Sequence, residues 1–359
     1  MPRIFTRTIT TPAAARQARP GTRPVVSFVT DFGMRDPSAG LLRAVVLGVA
    51  PDALIIDISH EVAPFRVRDG ALVLWSAIPY LPVGAHVAVV DPGVGTDRRA
   101  IALETARGDF LVGPDNGILL PAAARLGGIT RAHLIVAQQY RLPVVSASFH
   151  GRDLFAPAAA HLATGTPIDF LGPAVDPSRL LVVDWPEAEV YGGVLRSQAI
   201  YLDLFGNVKL SALGPELRAA LGQVLFGETL WLRITDAAGV RDLPVTWAET
   251  FGNVPPGTPL LYEDSYGRLC LAVNQGSAAA LAGVVEDSEI VVTRAQLPVA
   301  DAGWGGPPPA YVPAPMPMPM PGPGPAREPA PAPAPAWEPA PAPAWEPAPA
   351  PAWEPAPAP

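Results

Sequence analysis

Lysine and cysteine are almost missing from this chain: Lys209 and Cys270 are the only ones among 359 residues. A single cysteine excludes an internal disulfide and any zinc site built on several thiolates, and it fits a reducing cytoplasm. With arginine carrying nearly all the positive charge and a net charge of −8, no basic stripe is available to neutralise a phosphate backbone, which argues against nucleic acid as a partner. No run of about 18 apolar residues is free of charge, proline or polar interruption, so no segment should span a bilayer. Residues 1–23 carry five arginines and no acid but lack the apolar core of a secretory signal. They read as a disordered leader, with an organellar transit peptide as the alternative.

What is present falls into three parts. From Val25 to Asp184, short β-branched runs alternate with Ala/Leu-rich amphipathic segments, the pattern of an α/β, Rossmann-like domain, assigned to residues 24–185. Strands are expected at Val25–Val29, Ala53–Ile58 and His86–Val90, and helices at Ser38–Val49 and Arg66–Ala77. After Asp184 the grammar changes to short strands between turn residues, at 192–194, 199–202, 230–234, 269–273 and 289–292. These predict a smaller β-domain over 190–296, barrel or sandwich. From residue 304 to 359 Pro and Ala dominate, with a Trp-Glu-Pro unit recurring at Trp337, Trp345 and Trp353. That composition cannot bury a core and reads as an extended tail, either inert or a ligand for a protein partner's aromatic groove.

Charged residues collect where strands end, and in open α/β sheets ligands bind at the carboxyl ends of strands. Asp31, after the first strand, suits a vicinal diol, since a carboxylate accepts two hydroxyl protons at once; a helix N-cap is the competing role. Asp91, Arg98 and His150 are the residue types needed to hold and polarise a water: a proton acceptor, a guanidinium to fix it, and an imidazole that titrates near neutrality. A buried salt bridge beside a structural histidine is the alternative. His60, His86, His133 and His161 read as structural. A metal site from Asp31, Asp36 and His150 lacks supporting ligand spacing. In the β-domain, the stretch from Tyr201 to Asn207 offers an aromatic face, an amide and a carboxylate, a set suited to a purine and an ammonium group.

Six blocks occur in order: Thr30-Asp31-Phe32-Gly33, Asp57-Ile58-Ser59-His60, Val89 to Thr96, Pro114-Asp115-Asn116-Gly117, Phe149-His150-Gly151-Arg152-Asp153 and Phe205-Gly206-Asn207. Together they resemble the S-adenosyl-L-methionine hydroxide adenosyltransferases, relatives of the fluorinases and chlorinases, over about Pro24 to Thr293. The resemblance implies an α/β domain followed by a β-barrel-like domain, assembled as a homotrimer with active sites between subunits. It implies hydrolysis of S-adenosyl-L-methionine at C5′, giving adenosine and L-methionine, with no cofactor and no metal. By motif position it makes Asp31 the ribose-diol residue and Asp91, Arg98 and His150 the water-activating triad. It makes Asp203, Phe205 and Asn207 contacts to the methionine amine and adenine, and Ser265 a methionine-carboxylate contact. Asn274 and Gln275 align with the adenine-edge strand, and Phe65 falls where halogenating relatives carry an aromatic lining the reaction centre.

Two rival functions remain. A halide-dependent synthase of a 5′-halo-5′-deoxyadenosine would place an anion beside the Asp91 carboxylate, at a Coulomb cost in a desolvated site. The insertion that marks fluorinases is also not evident. A non-catalytic adenosyl-ligand sensor with a partner-binding tail would bind without turnover.

Overall fold

The computed structural model describes residues 23–297. All of the expected leader but Arg23, and the Pro/Ala-rich tail, lie outside the described residues.

Two sheets organise the chain. The first has six strands in the order β2-β1-β3-β5-β4-β6. They are β1 (Val25–Thr30), β2 (Leu54–Ser59), β3 (Ala85–Val89), β4 (Ala100–Thr105), β5 (Phe110–Pro114) and β6 (Ile129–Leu134). β1, β2, β3 and β5 run parallel, while β4 is antiparallel to both its neighbours. Strand residues alternate between faces, and both faces are apolar. Val26, Phe28, Val87 and Val89 pack with Leu42 and Val46 of α1 (Ser38–Val49) and with α4 (Ala156–Ala163). Val29, Ala88 and Val90 pack with Leu74 of α2 (Val67–Ala77) and Ala122 of α3 (Leu120–Arg125). The result is a three-layer αβα sandwich. Its buried runs explain why β1 and α1 were readable from the sequence, α1 to the residue.

The second sheet closes on itself. β14 (Glu289–Thr293) pairs with β10 (Thr229–Asp236) and also with β8 (Val194–Leu202), joining both ends of the order β14-β10-β11-β12-β13-β9-β8. The remaining staves are β9 (Val208–Leu213), β11 (Gly239–Trp247), β12 (Pro259–Glu263) and β13 (Arg268–Val273), and β7 (Glu189–Tyr191) pairs with β8. A seven-stranded barrel therefore replaces the barrel-or-sandwich expectation, filled by Leu195, Leu210, Leu232, Leu261, Leu271 and Ile290. Closure removes exposed strand edges. The expected strand at 192–194 is corrected: Gly192 and Gly193 both take positive φ and make the β7–β8 turn, and only Val194 is strand.

The α/β part meets the barrel through aromatic and ionic contacts. The ring of Trp75 of α2 meets the guanidinium groups of Arg125, 3.8 Å from its centroid, and of Arg268 of β13, at 4.2 Å. Arg66 and Arg68 pair with Glu286 and Asp287 before β14. Tyr80 donates to the carbonyl of Ser265 at 3.2 Å.

Candidate active site

Parallel pairing of β1 with β3 puts Thr30 opposite Val89, so the residues that follow, Asp31 and Val90-Asp91, leave the sheet side by side. After Asp91 the chain turns tightly, with the Val94 N–H donating to the Asp91 carbonyl and the Thr96 N–H to that of Gly93, both at 3.2 Å. Gly95 has φ +79°, and a Cβ there would lie 2.5 Å from the Ala147 carbonyl oxygen. Only glycine permits the loop to rest against the segment leading to His150.

His150 precedes a π-helical turn, Gly151–Phe155, which runs into α4. Such turns recur at functional sites because the widened backbone re-aims side chains. Asp153, inside it and fully buried, accepts from the Ser146 N–H and hydroxyl, each at 2.8 Å, and from Arg152 at 2.6 Å. Gly151 is pressed against Phe32, whose ring atoms would be 2.9 Å from an added Cβ. The Asp31 loop and the His150 turn are thus in direct contact.

Arg98 joins the two loops electrostatically. Its Nε donates to Asp91 Oδ1 at 3.1 Å and its Nη2 to Asp91 Oδ2 at 2.5 Å, a bidentate pair whose side chains are only 5–6 % exposed. Nη2 also lies 2.8 Å from His150 Nδ1. Guanidinium can only donate, so Nδ1 is the acceptor, and a neutral ring carries its proton on Nε2. Burial, reinforced by the Arg98 charge, holds the His150 pKa below the usual imidazole value. Arg98 Nη1 is buried without a protein partner among the described residues.

Asp31 accepts from the Phe65 N–H at 3.1 Å, across the sequence rather than within a helix, which replaces the N-cap alternative. Partial burial raises its pKa against that hydrogen bond, and the charge of Asp91 adds to the rise. Phe65 itself holds φ +66°, unusual for a bulky residue, and is 73 % exposed. Asp36 is exposed and accepts from the Ser38 N–H at the start of α1. No group of three or more His, Cys, Asp or Glu side chains has metal-binding geometry among the described residues.

The barrel residues form a separate set. Asp203 Oδ1 accepts from the N–H groups of Phe205 and Asn207, and its Oδ2 from the Asn207 amide at 2.9 Å, while Phe205 is 80 % exposed. Ser265 occupies the β12–β13 turn, which Asp264 holds through the N–H groups of Tyr266 and Arg268 and through Lys209 Nζ at 2.6 Å. Asn274 and Gln275 fall just past the end of β13, not in a strand: Asn274 donates to the Val254 carbonyl, and Gln275 takes φ +56°. Among the described residues no hydrogen bond, ion pair or ring contact joins this set to Asp31, Asp91, Arg98 or His150. An open cavity of about 460 Å³ on the barrel, lined by Leu217, Val224, Phe226 and Trp247, contains neither set.

Sequence reasoning passed over the supporting residues Thr30, Asp57, Ser146 and Asp153. Thr30, Asp57 and Asp153 lie inside the blocks named above and Ser146 outside them, and the hydrogen bonds they make in the fold leave no sign in the sequence.

The comparisons with known proteins give the family of the chain. The SAM hydroxide adenosyltransferase N-terminal domain matches residues 26–172 and the corresponding C-terminal domain matches residues 197–291. The chain is 43% identical over 270 residues to the (R)-S-adenosyl-L-methionine hydrolase of Salinispora tropica, covering 75% of this chain and 98% of that one. It is 41% identical over 278 residues to the enzyme of the same name from Thermus thermophilus, covering 74% and 97%. The fluorinase of Actinopolyspora mzabensis is more distant, 27% identical over 300 residues, covering 76% and 98%. Among solved structures, an uncharacterized conserved protein from Thermotoga maritima superposes with TM-score 0.70 at 34% identity, covering 75% of this chain and all of that one.

Proposed function

The chain belongs to the SAM hydroxide adenosyltransferase family, and from that premise we propose that it hydrolyses S-adenosyl-L-methionine at C5′, giving adenosine and L-methionine. The names of its relatives specify the (R) form. Since "L" already fixes the methionine carbon, (R) describes the sulfonium, and we assign the same epimer as substrate here.

Water oxygen bonds to C5′ as the C5′–S bond breaks, its electron pair returning to sulfur to leave a neutral thioether. The sulfonium is a good leaving group, so the enzyme's task is to aim one water and exclude the rest. No metal or cofactor is required by that chemistry. Asp31 takes the ribose hydroxyls. Asp91 takes the water proton, while His150 Nε2–H donates to the water oxygen and fixes its direction. The observation that carries this division of roles is the Arg98 Nη2 contact, which occupies the His150 Nδ1 lone pair and leaves that ring no basic site.

Asp203, Phe205, Asn207, Ser265, Asn274 and Gln275 serve the methionine and adenine ends from a neighbouring subunit of a homotrimer, with Phe65 at the reaction centre. Support comes from the separation of the two sets within one chain and from the exposed apolar side chains Phe65, Leu204 and Phe205. Among the described residues no helix is long and apolar enough to cross a membrane. Independently, the single cysteine, Cys270, supports a cytoplasmic location. A role for the Pro-rich tail as a ligand for a protein partner rests on composition alone.

The test is incubation of the full chain with each purified sulfonium epimer, followed by product identification. Adenosine and methionine from the (R) epimer are expected, and added fluoride or chloride should yield no 5′-halo nucleoside. Binding without consumption, with or without residues 304–359, would favour the sensor alternative.

A further inference from the structure

Two relays of the same kind, hydroxyl to histidine to aspartate to arginine, end on β1. At its start, Ser27 Oγ lies 2.8 Å from His86 Nδ1, His86 Nε2 lies 3.0 Å from Asp109 Oδ1, and Arg107 closes the chain on Asp109. At its end, Thr30 Oγ1 lies 2.8 Å from His60 Nδ1, His60 Nε2 lies 3.0 Å from Asp57 Oδ1, and Arg43 pairs with Asp57 Oδ2 at 2.5 Å. Asp57 can only accept, so His60 Nε2 carries a proton. Burial works to raise the Asp57 pKa, but the hydrogen bonds from His60 and Arg43 outweigh it and hold that pKa below the usual carboxylate value.

Only the second relay touches the site. Thr30 immediately precedes Asp31, and its hydroxyl also accepts from the Phe32 N–H at 3.3 Å. The His60 carbonyl accepts from the Gly33 N–H at 2.7 Å, and five residues on, the Phe65 N–H donates to Asp31 Oδ2. The segment from His60 to Phe65 therefore grips the Asp31 loop before, after and at its carboxylate. We propose that His60, anchored by Asp57 and Arg43, is a positioning residue that aims Asp31 at the two ribose hydroxyls of the substrate. This rests on the ribose role proposed for Asp31. The relay at the other end of β1, with serine in place of threonine and its aspartate fully buried, supplies a built-in control with no functional loop to hold.

Adenosine and 2′,3′-dideoxyadenosine are the probes, titrated by calorimetry into the full chain, with steady-state kinetics on S-adenosyl-L-methionine alongside. Thr30→Val removes the hydroxyl without changing shape and should weaken adenosine binding about fivefold to twentyfold. It should raise KM in step while leaving kcat within about twofold. Thr30→Ser should recover most of the loss. Dideoxyadenosine, having no hydroxyls for Asp31, should bind wild type and Thr30→Val alike. Ser27→Ala should lower Tm without altering adenosine affinity. Should Thr30→Val not fold, Asp57→Asn breaks the relay at its partly exposed outer end. Equal losses for both nucleosides, or a loss of affinity in Ser27→Ala matching that in Thr30→Val, would overturn the proposal. Absence of turnover with intact, relay-dependent adenosine binding would instead count against the hydrolase reading and leave this one standing.

Discussion

Replacing Arg98 by lysine keeps the charge and removes the fork, which separates electrostatics from geometry in the triad. Arg98 makes two hydrogen bonds to Asp91 and one to His150, all among side chains about 5–6 % exposed or partly buried. A lysine nitrogen can serve one of those partners well. Losing one or two charge-assisted hydrogen bonds, at about 1.5–3 kcal/mol each, should lower stability by roughly 1.5–6 kcal/mol. His150 Nδ1 then loses its donor, the Nε2–H tautomer is no longer enforced, and kcat should fall about a hundredfold or more, the scale of a positioned acid–base group. KM should move only a few fold, because Arg98 is not placed on the substrate. Charge shows in a second variant. His150 must be neutral to donate from Nε2 while accepting at Nδ1, and its pKa is depressed by burial and by Arg98. Activity and the stability contributed by the neutral ring are therefore full above its unfolded value of about 6.5 and are lost as pH falls through the depressed folded value. Arg98→Met should shift this acid limb upward, whereas Arg98→Lys should leave it in place. Adenosine release followed by chromatography across pH, with thermal denaturation in parallel, reads both effects. Wild-type kcat in Arg98→Lys, with only a drop in Tm, would mean that Arg98 is a structural salt bridge and would refute the mechanism.

Asp31→Asn should raise Tm while weakening substrate binding. Its raised pKa means that the ionised carboxylate costs stability above that value, a cost that the neutral amide avoids. A fall in Tm with unchanged affinity would contradict this. Gly151→Ala forces a Cβ to 2.9 Å from the Phe32 ring and should cost about 1–3 kcal/mol together with most of the turnover. Gly40→Ala, on the open face of α1 with nothing within 4 Å, should stabilise by about 0.5–1 kcal/mol and leave kcat unchanged. Co-expressing Asp31→Ala with Asp203→Ala chains should restore roughly a quarter of wild-type activity if each site takes one face from each of two neighbours. No recovery in mixed oligomers would argue that each chain carries a complete site.

The local parts of this molecule were legible and the long-range ones were not. Helix α1 spans Ser38–Val49 as its Ala/Leu/Val periodicity indicates, and β1 was recognisable because Val25 to Thr30 are all buried. Barrel closure depends on β14 meeting β8 across about ninety residues, for which neither strand carries a local sign. The antiparallel pairing of β4 with β5 and β6 has no counterpart in the sequence reading. The residue types of Asp91, Arg98 and His150 suggest a held water, and the proposed choice of Asp91 over His150 as proton acceptor rests on a contact, Arg98 Nη2 to His150 Nδ1, that no local sequence signal carries. The resemblance placed Asn274 and Gln275 on a strand, but β13 ends at Val273 and the chain turns there instead.

The most direct test of the central claim is turnover of the (R) epimer in ¹⁸O-labelled water, with mass spectrometry of both products. Attack of water on C5′ predicts one ¹⁸O in the 5′-hydroxyl of adenosine and none in methionine. Label in a homoserine product alongside unlabelled 5′-methylthioadenosine, or adenosine formed without label, would show that the bond broken or the nucleophile is not the one assigned here.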